Sequence, residues 1–523
     1  MVVWLGCFLL APDRVFLGQA RNEAREQQIL AIQQSITQGD LAGARRLLKS
    51  AARQFPSDAG FDNLLGIVEA QEGNYAAAES SFSRAVARSR RFTGAYLNLG
   101  RLYQERSAAD PPAARKALEV YRRVLQYDPD NAEANYQSAT LLVRQGAHQA
   151  ALDHLSRLPA EVQNSAQALA VSCAAYAGLG NRARADETAA RLLAHPEFSE
   201  PDILTVLPAL GGSRRDDLLV RLVEALRNRQ PLSPEMTRHL GLAYERTGRL
   251  AQARAALERS AEGAQPTVVL LGELARVAHK QQDYQGALGY LAHARDLEPN
   301  NPGLHFYFGL VCVDLNLLAE ARAAFDKAVS LEPDNPSYNY ALGATSAFRH
   351  DPAEAVPYFE KYIRLKPQDA HGKLALGAAL FKAKDHTAAV KVLREAVKHP
   401  ETAATAHYYL GSIARQQGQL DEALGELERA LKAKPAYPDA LAELGQCYLI
   451  RRDYERAGQY LRRALELEPN HYAANFNLLN LYARTKDGRE AEQAKRFEEV
   501  QKLREEKTRE FLRLVEARPY AAP

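Results

Sequence analysis

Apolar residues between Pro302 and Asn335 fall into two runs separated by a polar break. Phe306, Phe308, Leu310, Val311 and Val313 supply the first run, and Asn316 interrupts it. Ala321, Phe325, Ala328 and Val329 then recur three and four apart. That spacing lays side chains along one face of an α-helix. Pro333 closes the window, because proline cannot continue a helix interior. Pro336 opens the next one, where its missing N–H costs nothing. The pattern predicts a helix, a short turn and a second helix.

The window repeats along most of the chain. Ala253, Ala287, Ala321, Ala355, Ala389, Ala423, Ala457 and Ala491 stand 34 residues apart. Gly309, Gly343, Gly377, Gly411 and Gly445 form a parallel ladder, as do Pro299, Pro333, Pro367, Pro435 and Pro469, with Pro400–Glu401 in the one gap. With Ala253 as position 20, windows open at Glu200, Pro234, Val268, Pro302, Pro336, Ala370, Ala404, Pro438 and Tyr472. Small backward slips add Ala166, Asn131, Thr93, Ala59 and Arg25. Position 20 is alanine in all but the window of Leu219, counting Ala117 after an insertion; position 8 is also glycine at Gly66, Gly100 and Gly241. One helix pair cannot bury its apolar face alone, so a fixed period of this size means stacking. The expected fold is all-α: a right-handed α-solenoid of about 14 helix-turn-helix repeats of 34 residues, with a C-terminal capping helix. Gly309 and Ala321 are expected to let paired helices approach, with Phe325 filling the space toward the next pair.

Departures from the period carry their own expectations. Ser107–Pro112 adds residues between two helices and predicts a protruding loop. The window 200–233 has Leu207-Pro208 where Leu-Gly is expected, then Gly211-Gly212. Pro208 should break its first helix, leaving a degenerate repeat or a bend. Pro357 should kink the helix that holds it. From about 488 to 517 a charged helix carries a narrow stripe of Phe497, Val500, Leu503, Phe511 and Leu514. A polar outer face suits a terminal cap. The expected organisation is therefore 1–20 as a leader or tail, 21–199 as N-terminal repeats, 200–233 as the degenerate unit, 234–487 as C-terminal repeats and 488–523 as cap and tail.

Charge narrows the function. The 67 basic residues nearly balance the 64 acidic ones, which leaves no concentrated basic face for nucleic acid. Val2–Ala11 is apolar and Gly18-Gln19-Ala20 offers a small-x-small site, so residues 1–20 suggest a signal peptide and an exported, periplasmic or envelope-associated protein. Against that, no Lys or Arg precedes the run and Asp13-Arg14 interrupts it, which leaves a cytoplasmic protein as the alternative. No other stretch approaches the roughly 18 apolar residues of a membrane span. Cys7, Cys173, Cys312 and Cys447 form no CxxC pair, and the last three lie among apolar neighbours as small hydrophobes. No HExxH, GxSxG or phosphate-loop motif occurs, and no histidine has a second histidine or cysteine ligand three or four residues away. The sequence therefore predicts no catalytic residue, metal or cofactor.

Leu99-Gly100-x-x-Tyr103, Leu240-Gly241-x-x-Tyr244 and Leu444-Gly445-x-x-Tyr448 supply one half of a motif. Ala321-x3-Phe325-x2-Ala328-x4-Pro333 and Ala457-x3-Leu461-x2-Ala464-x4-Pro469 supply the other. Together they resemble the tetratricopeptide repeat family, from about residue 25 to 505. The resemblance implies a concave wall built from positions 2, 5, 9, 12 and 13 of each first helix. Those positions hold Phe306, Leu310, Val313, Asp314, Tyr340, Phe348, His371, Leu374, Phe381, Lys382, Tyr408, Ser412, Arg415, Gln446, Phe476 and Asn480, an aromatic and mildly polar wall. Some relatives grip a terminal carboxylate with paired Lys and Asn, a set not repeated here. The implied role is a non-catalytic scaffold holding an apolar or amphipathic peptide segment of a protein partner. The alternative is an arm or adaptor subunit of an enzyme or of an envelope secretion or assembly complex.

Overall fold

The computed structural model describes residues 19–107, 110–262, 265–348 and 352–516. These residues form 29 helices and, among themselves, no strand. The contacts divide the chain into two compact units, Met1–Glu262 and Gly263–Pro523. Within each, a first helix packs on its own second helix, and that second helix on the first helix of the following pair. Each unit is thus a stack of helix pairs, an all-α solenoid. Ala59, Thr93, Ala166, Glu200, Pro234, Val268, Pro302, Pro336, Ala370, Pro438 and Tyr472 each open a helix, where the period placed them.

The period exists because of one contact. A Cβ placed on Gly309 would come 2.5 Å from the Phe325 ring, and one on Gly100 2.4 Å from Tyr121. Leu393 stands in the same relation to Gly377, at 2.5 Å, and Leu461 to Gly445, at 2.6 Å. Position 24 therefore lies directly on the position 8 glycine of its own pair, rather than mainly filling the gap to the next. Beside it, Ala44, Ala78, Ala117, Ala151, Ala185, Ala253, Ala287, Ala321, Ala355, Ala389, Ala423 and Ala457 are fully buried. Ala491, with no later first helix over it, is exposed.

Two polar devices close the turns. Position 15 adopts left-handed backbone at Gly39, Gly73, Gly180, Gly248 and Gly418, and also at Gln282, Asn316, Lys384, Arg452 and Lys486. This reverses the chain between paired helices; Asp40, Asn181, Asp283, Asp385 and Asp453 then cap the second helix through their side chains. Between pairs, a buried side chain at position 4 reaches back six residues. Asn339 Nδ2 donates to the Pro333 carbonyl at 2.8 Å, Asn135 to that of Pro129 at 2.8 Å, and Asn475 to that of Pro469 at 3.0 Å. His305 Nε2 lies 2.9 Å from the Pro299 carbonyl in the same arrangement. The proline that ends one pair is thereby tied to the helix that opens the next.

Several expectations need correction. Pro208 does not break its helix: Glu200–Gly212 runs through it. The proline ring is exposed, so the missing N–H, which would have bonded the Leu204 carbonyl, is lost on a face that water reaches. Leu219 and Val223 are fully buried in the following helix, a larger residue at position 20 offset by a smaller one at position 24. Pro357 likewise sits on an exposed face inside Pro352–Leu365. The insertion after Ser107 is not all loop, because Pro111 and Pro112 open a 17-residue second helix; residues 108–109 lie outside the described set. Pro400 explains the gap in the proline ladder: it opens a helix four residues early, and Thr402 Oγ1 donates to the Ala396 carbonyl at 2.6 Å. After His148–Leu155 the chain adds a one-turn helix, Ala160–Gln163, capped by Pro159. The final helix spans Glu490–Glu516; Phe497 and Val500 are buried and Gln493 Nε2 donates to Asn475 Oδ1 at 3.0 Å. The side chains of Phe511 and Leu514 lie outside the described set.

Replacing Gly377 with alanine should lower stability by about 1–3 kcal/mol through overpacking against Leu393, and with leucine by more. Thermal melts of both variants measure this; a parental melting curve for either would show the contact to be loose. Gly418 has φ +79° and nothing within 4 Å of a Cβ, whereas Arg452 holds φ 65° with a full side chain. Gly418→Ala should therefore cost about 1 kcal/mol by backbone strain alone, and Arg452→Gly should stabilise by up to about 1 kcal/mol. Opposite signs in denaturant titration are the expected outcome.

Candidate functional site

In the unit 263–523 the predicted wall residues come from successive first helices, Pro302–Asp314 through Tyr472–Thr485. Position 5 is where rings gather. Phe306 lies 4.8 Å, centroid to centroid, from Tyr338 and 5.7 Å from Phe325. Tyr340 lies 5.0 Å from Tyr362 and 5.5 Å from Phe359. Tyr408 touches Tyr409 and Tyr437, each at 5.3 Å, and Tyr409 reaches Phe381 at 5.4 Å. The position 5 rings Phe306, Tyr340 and Tyr408 are half-buried, while the Phe325, Tyr338, Phe359 and Tyr437 rings they contact are buried. Burial raises the hydroxyl pKa of Tyr340 and of Tyr408, so both stay neutral donors.

The remaining predicted positions divide. Leu310 and Val313 are 38% and 41% exposed and sit one helical turn apart. Leu374 is half-buried against the core, and Asn480 is half-exposed. Phe476 is 44% exposed although Phe497 of the last helix rests on it at 5.4 Å. The side chain of Phe348 lies outside the described set. Arg415 is already engaged: Nε lies 2.5 Å from Glu443 Oε2 in the next first helix, and Ser412 Oγ donates to the same carboxylate at 3.2 Å. It links neighbouring pairs and offers no spare charge.

The unit 1–262 holds a feature that the sequence reading did not single out. A groove of about 1580 Å³ is lined by the middle of the helix Gln19–Thr37, by the opening turns of Ala59–Gln71, Thr93–Arg106 and Ala132–Arg144, and by residues of Ala160–Gln163 and Ala166–Gly178. Its floor includes Leu64 and Leu97. Asn63 lines it too, accepting a 3.0 Å bond from Asn98 Nδ2; both asparagines are buried. The signal for it lay in side chains rather than in the repeat: Leu30 is 63% exposed there, while Ile32 of the same helix is fully buried.

Side chains able to do chemistry are dispersed or occupied. His407 Nδ1 meets Glu426 at 2.5 Å, His279 Nε2 meets Asp314 at 2.7 Å, and His471 Nε2 meets Asp439 at 3.2 Å. The last contact holds the Asp439 carboxyl below its usual range. Among the described residues no three His, Cys, Asp or Glu side chains converge as a metal site would need. No helix among them is long and apolar enough to cross a membrane. Cys173, Cys312 and Cys447 are buried thiols, and burial pushes each pKa up to about 12.

Stacked helix pairs with aromatic and mixed-charge faces define a helical-repeat protein. Two tetratricopeptide repeat models match the sequence, one at residues 36–103, 220–268, 340–404, 389–438 and 408–471, the other at 113–172 and 278–344. The chain belongs to the tetratricopeptide repeat family, whose members serve as protein-interaction scaffolds. The matching models indicate no enzymatic family. No curated protein matches the chain by sequence. Among solved structures it is similar to YrrB, a TPR protein with an unusual peptide-binding site, at 26% identity over 35% of this chain and 95% of that one, with a TM-score of 0.30. It is also similar to the APC/C hetero-tetramer Cut9-Hcn1, at 13% identity over 88% and 97%, TM-score 0.36. A tetratricopeptide repeat protein from Parabacteroides merdae matches at 15% identity over 47% and 98%, TM-score 0.38.

Thiols with a pKa of about 12 carry almost no thiolate near neutral pH. Iodoacetamide at pH 8 should leave Cys173, Cys312 and Cys447 unmodified in the native protein and label all three in guanidinium chloride. Peptide mass spectrometry reads the outcome; native labelling of any of them would mean that its repeat opens readily.

Proposed function

We propose that this chain is a non-catalytic scaffold that holds an apolar or amphipathic segment of a partner protein along the first-helix wall of the unit 263–523. One observation carries the reading. The wall presents half-buried aromatic edges with exposed Leu310, Val313 and Phe476, while its arginine, Arg415, is neutralised by Glu443. Rings anchored on one side lose little freedom on binding, and aromatic anchors supply a large share of interface energy. A segment bound there gains from apolar burial, not from a clamp on a charged terminus.

The compartment we propose is the cell envelope, on the strength of residues 1–20 alone; of these, 1–18 lie outside the described set. N-terminal sequencing of the protein recovered from envelope and cytosol fractions tests it, an intact Met1 in every fraction being the adverse result.

Affinity capture from whole cells supplies the partner, and Leu310→Asp with Val313→Asp tests the wall. Both side chains are exposed, so the melting temperature should hold. Affinity for the captured partner should fall by about tenfold or more, roughly 1.4 kcal/mol. Unchanged affinity with an unchanged melt would move the site elsewhere.

A further inference from the structure

We infer that the groove of the unit 1–262 is a second, separate binding site, and that it takes a basic amphipathic segment of a partner protein: apolar side chains at its centre, lysine or arginine at its flanks. At about 1580 Å³ the groove exceeds the roughly 300–1,000 Å³ of a small-molecule pocket and suits a length of polypeptide. Leu64 and Leu97 give it an apolar centre, and Leu30 and Val162 extend the apolar lining beside Glu26 and Glu161.

Its charges decide the sign of the ligand. Arg25 is held by Asp58, Arg88 by Asp62 at 3.0 Å, and Glu133 by Arg101 at 2.9 Å. These pairs cancel. Glu26 and Glu161 remain, both exposed and without an ion pair among the described residues, on the first and last helices that line the groove. Asp128 adds a third carboxylate, which among the described residues accepts a neutral 2.9 Å bond from Asn131 Nδ2 and has no ion pair. Arg91 is the one lining cation left without a carboxylate among the described residues. The unpaired balance is acidic.

Helix N-termini also point this way, and their partial positive charge would oppose a cation. They are largely answered from within. Asp58 accepts from Gly60 N at 2.7 Å, Asn131 from Ala134 N at 3.0 Å and Ser165 from Ala168 N at 3.3 Å. A full carboxylate outweighs a capped terminus, whose influence fades within a turn. Met1–Gly18, the segment that precedes the first described helix in the sequence, carries only Asp13 and Arg14 as charged side chains. It has no net charge to match, so charge complementarity assigns the groove to a partner.

The test uses the full-length protein and three fluorescein-labelled peptides of equal length: leucine with lysine, leucine with glutamate, and glycine with serine. The whole chain carries a net charge of +3, so undirected electrostatics would favour the glutamate peptide. Fluorescence anisotropy should instead show the lysine peptide bound about tenfold more tightly, with an affinity that falls as salt rises. Glu26→Lys with Glu161→Lys should abolish that preference, and Leu30→Asp should weaken what apolar contact contributes. All three residues are exposed, so circular dichroism should be unchanged. The Leu310→Asp, Val313→Asp variant should bind the lysine peptide as the parent does, which separates this site from the wall of the other unit. Equal binding of both charged peptides, or a preference that survives the double charge reversal, would overturn the inference. So would lysine-peptide binding that appears only after residues 1–18 are deleted, since that would make the chain's own segment the occupant.

Discussion

A ring or branched side chain resting on a glycine is the contact that the rest of the structure depends on. At Gly309 and Phe325, or Gly377 and Leu393, even one methyl group on the glycine would fall well inside van der Waals distance. The two helices of a pair therefore approach as closely as backbone allows. Once they do, the alanine at position 20 is sealed, and the outer faces of the pair are brought to a fixed relation. The next pair can then stack only one way. The window 200–233 shows that the constraint is on volume rather than on residue type, since Leu219 and Val223 together fill what alanine and a larger residue fill elsewhere.

Polar groups keep these stacks in register. A helix end leaves carbonyls without partners, and burying them is costly. The buried asparagines 135, 339 and 475 each satisfy a carbonyl six residues back, so they act as ties between pairs and not as ligands. Arg415 and Glu443 do similar work between neighbouring first helices. A polar residue on a repeat wall is thus a poor guide to binding until its hydrogen bonds are counted.

What is left after that count differs between the two units. On the wall of 263–523, rings are half-used by packing and Arg415 is neutralised by Glu443, so apolar edges remain. In the groove of 1–262, most ion pairs close internally and a few carboxylates remain. The family gives a common scaffold, while the unpaired residues give each unit its own chemistry. Proposing two occupants of different character follows from that contrast.

The sequence by itself determined the fold. Its fixed interval of alanine, glycine and proline named the helix pairs, set nearly every boundary and placed the apolar cores, because those depend on side-chain volume and backbone permission that are written locally. It also placed Phe306, Tyr340 and Tyr408 at one repeated position of three first helices. It misjudged Pro208, since only the folded helix reveals that the proline faces water. It could not show that Arg415 is paired or that Phe476 is partly covered by the last helix, because those partners lie 28 and 21 residues away across a turn. The groove was beyond its reach for the same reason: a space bounded by successive helices exists only once they are stacked, and which of its charges are spent is a matter of tertiary distance.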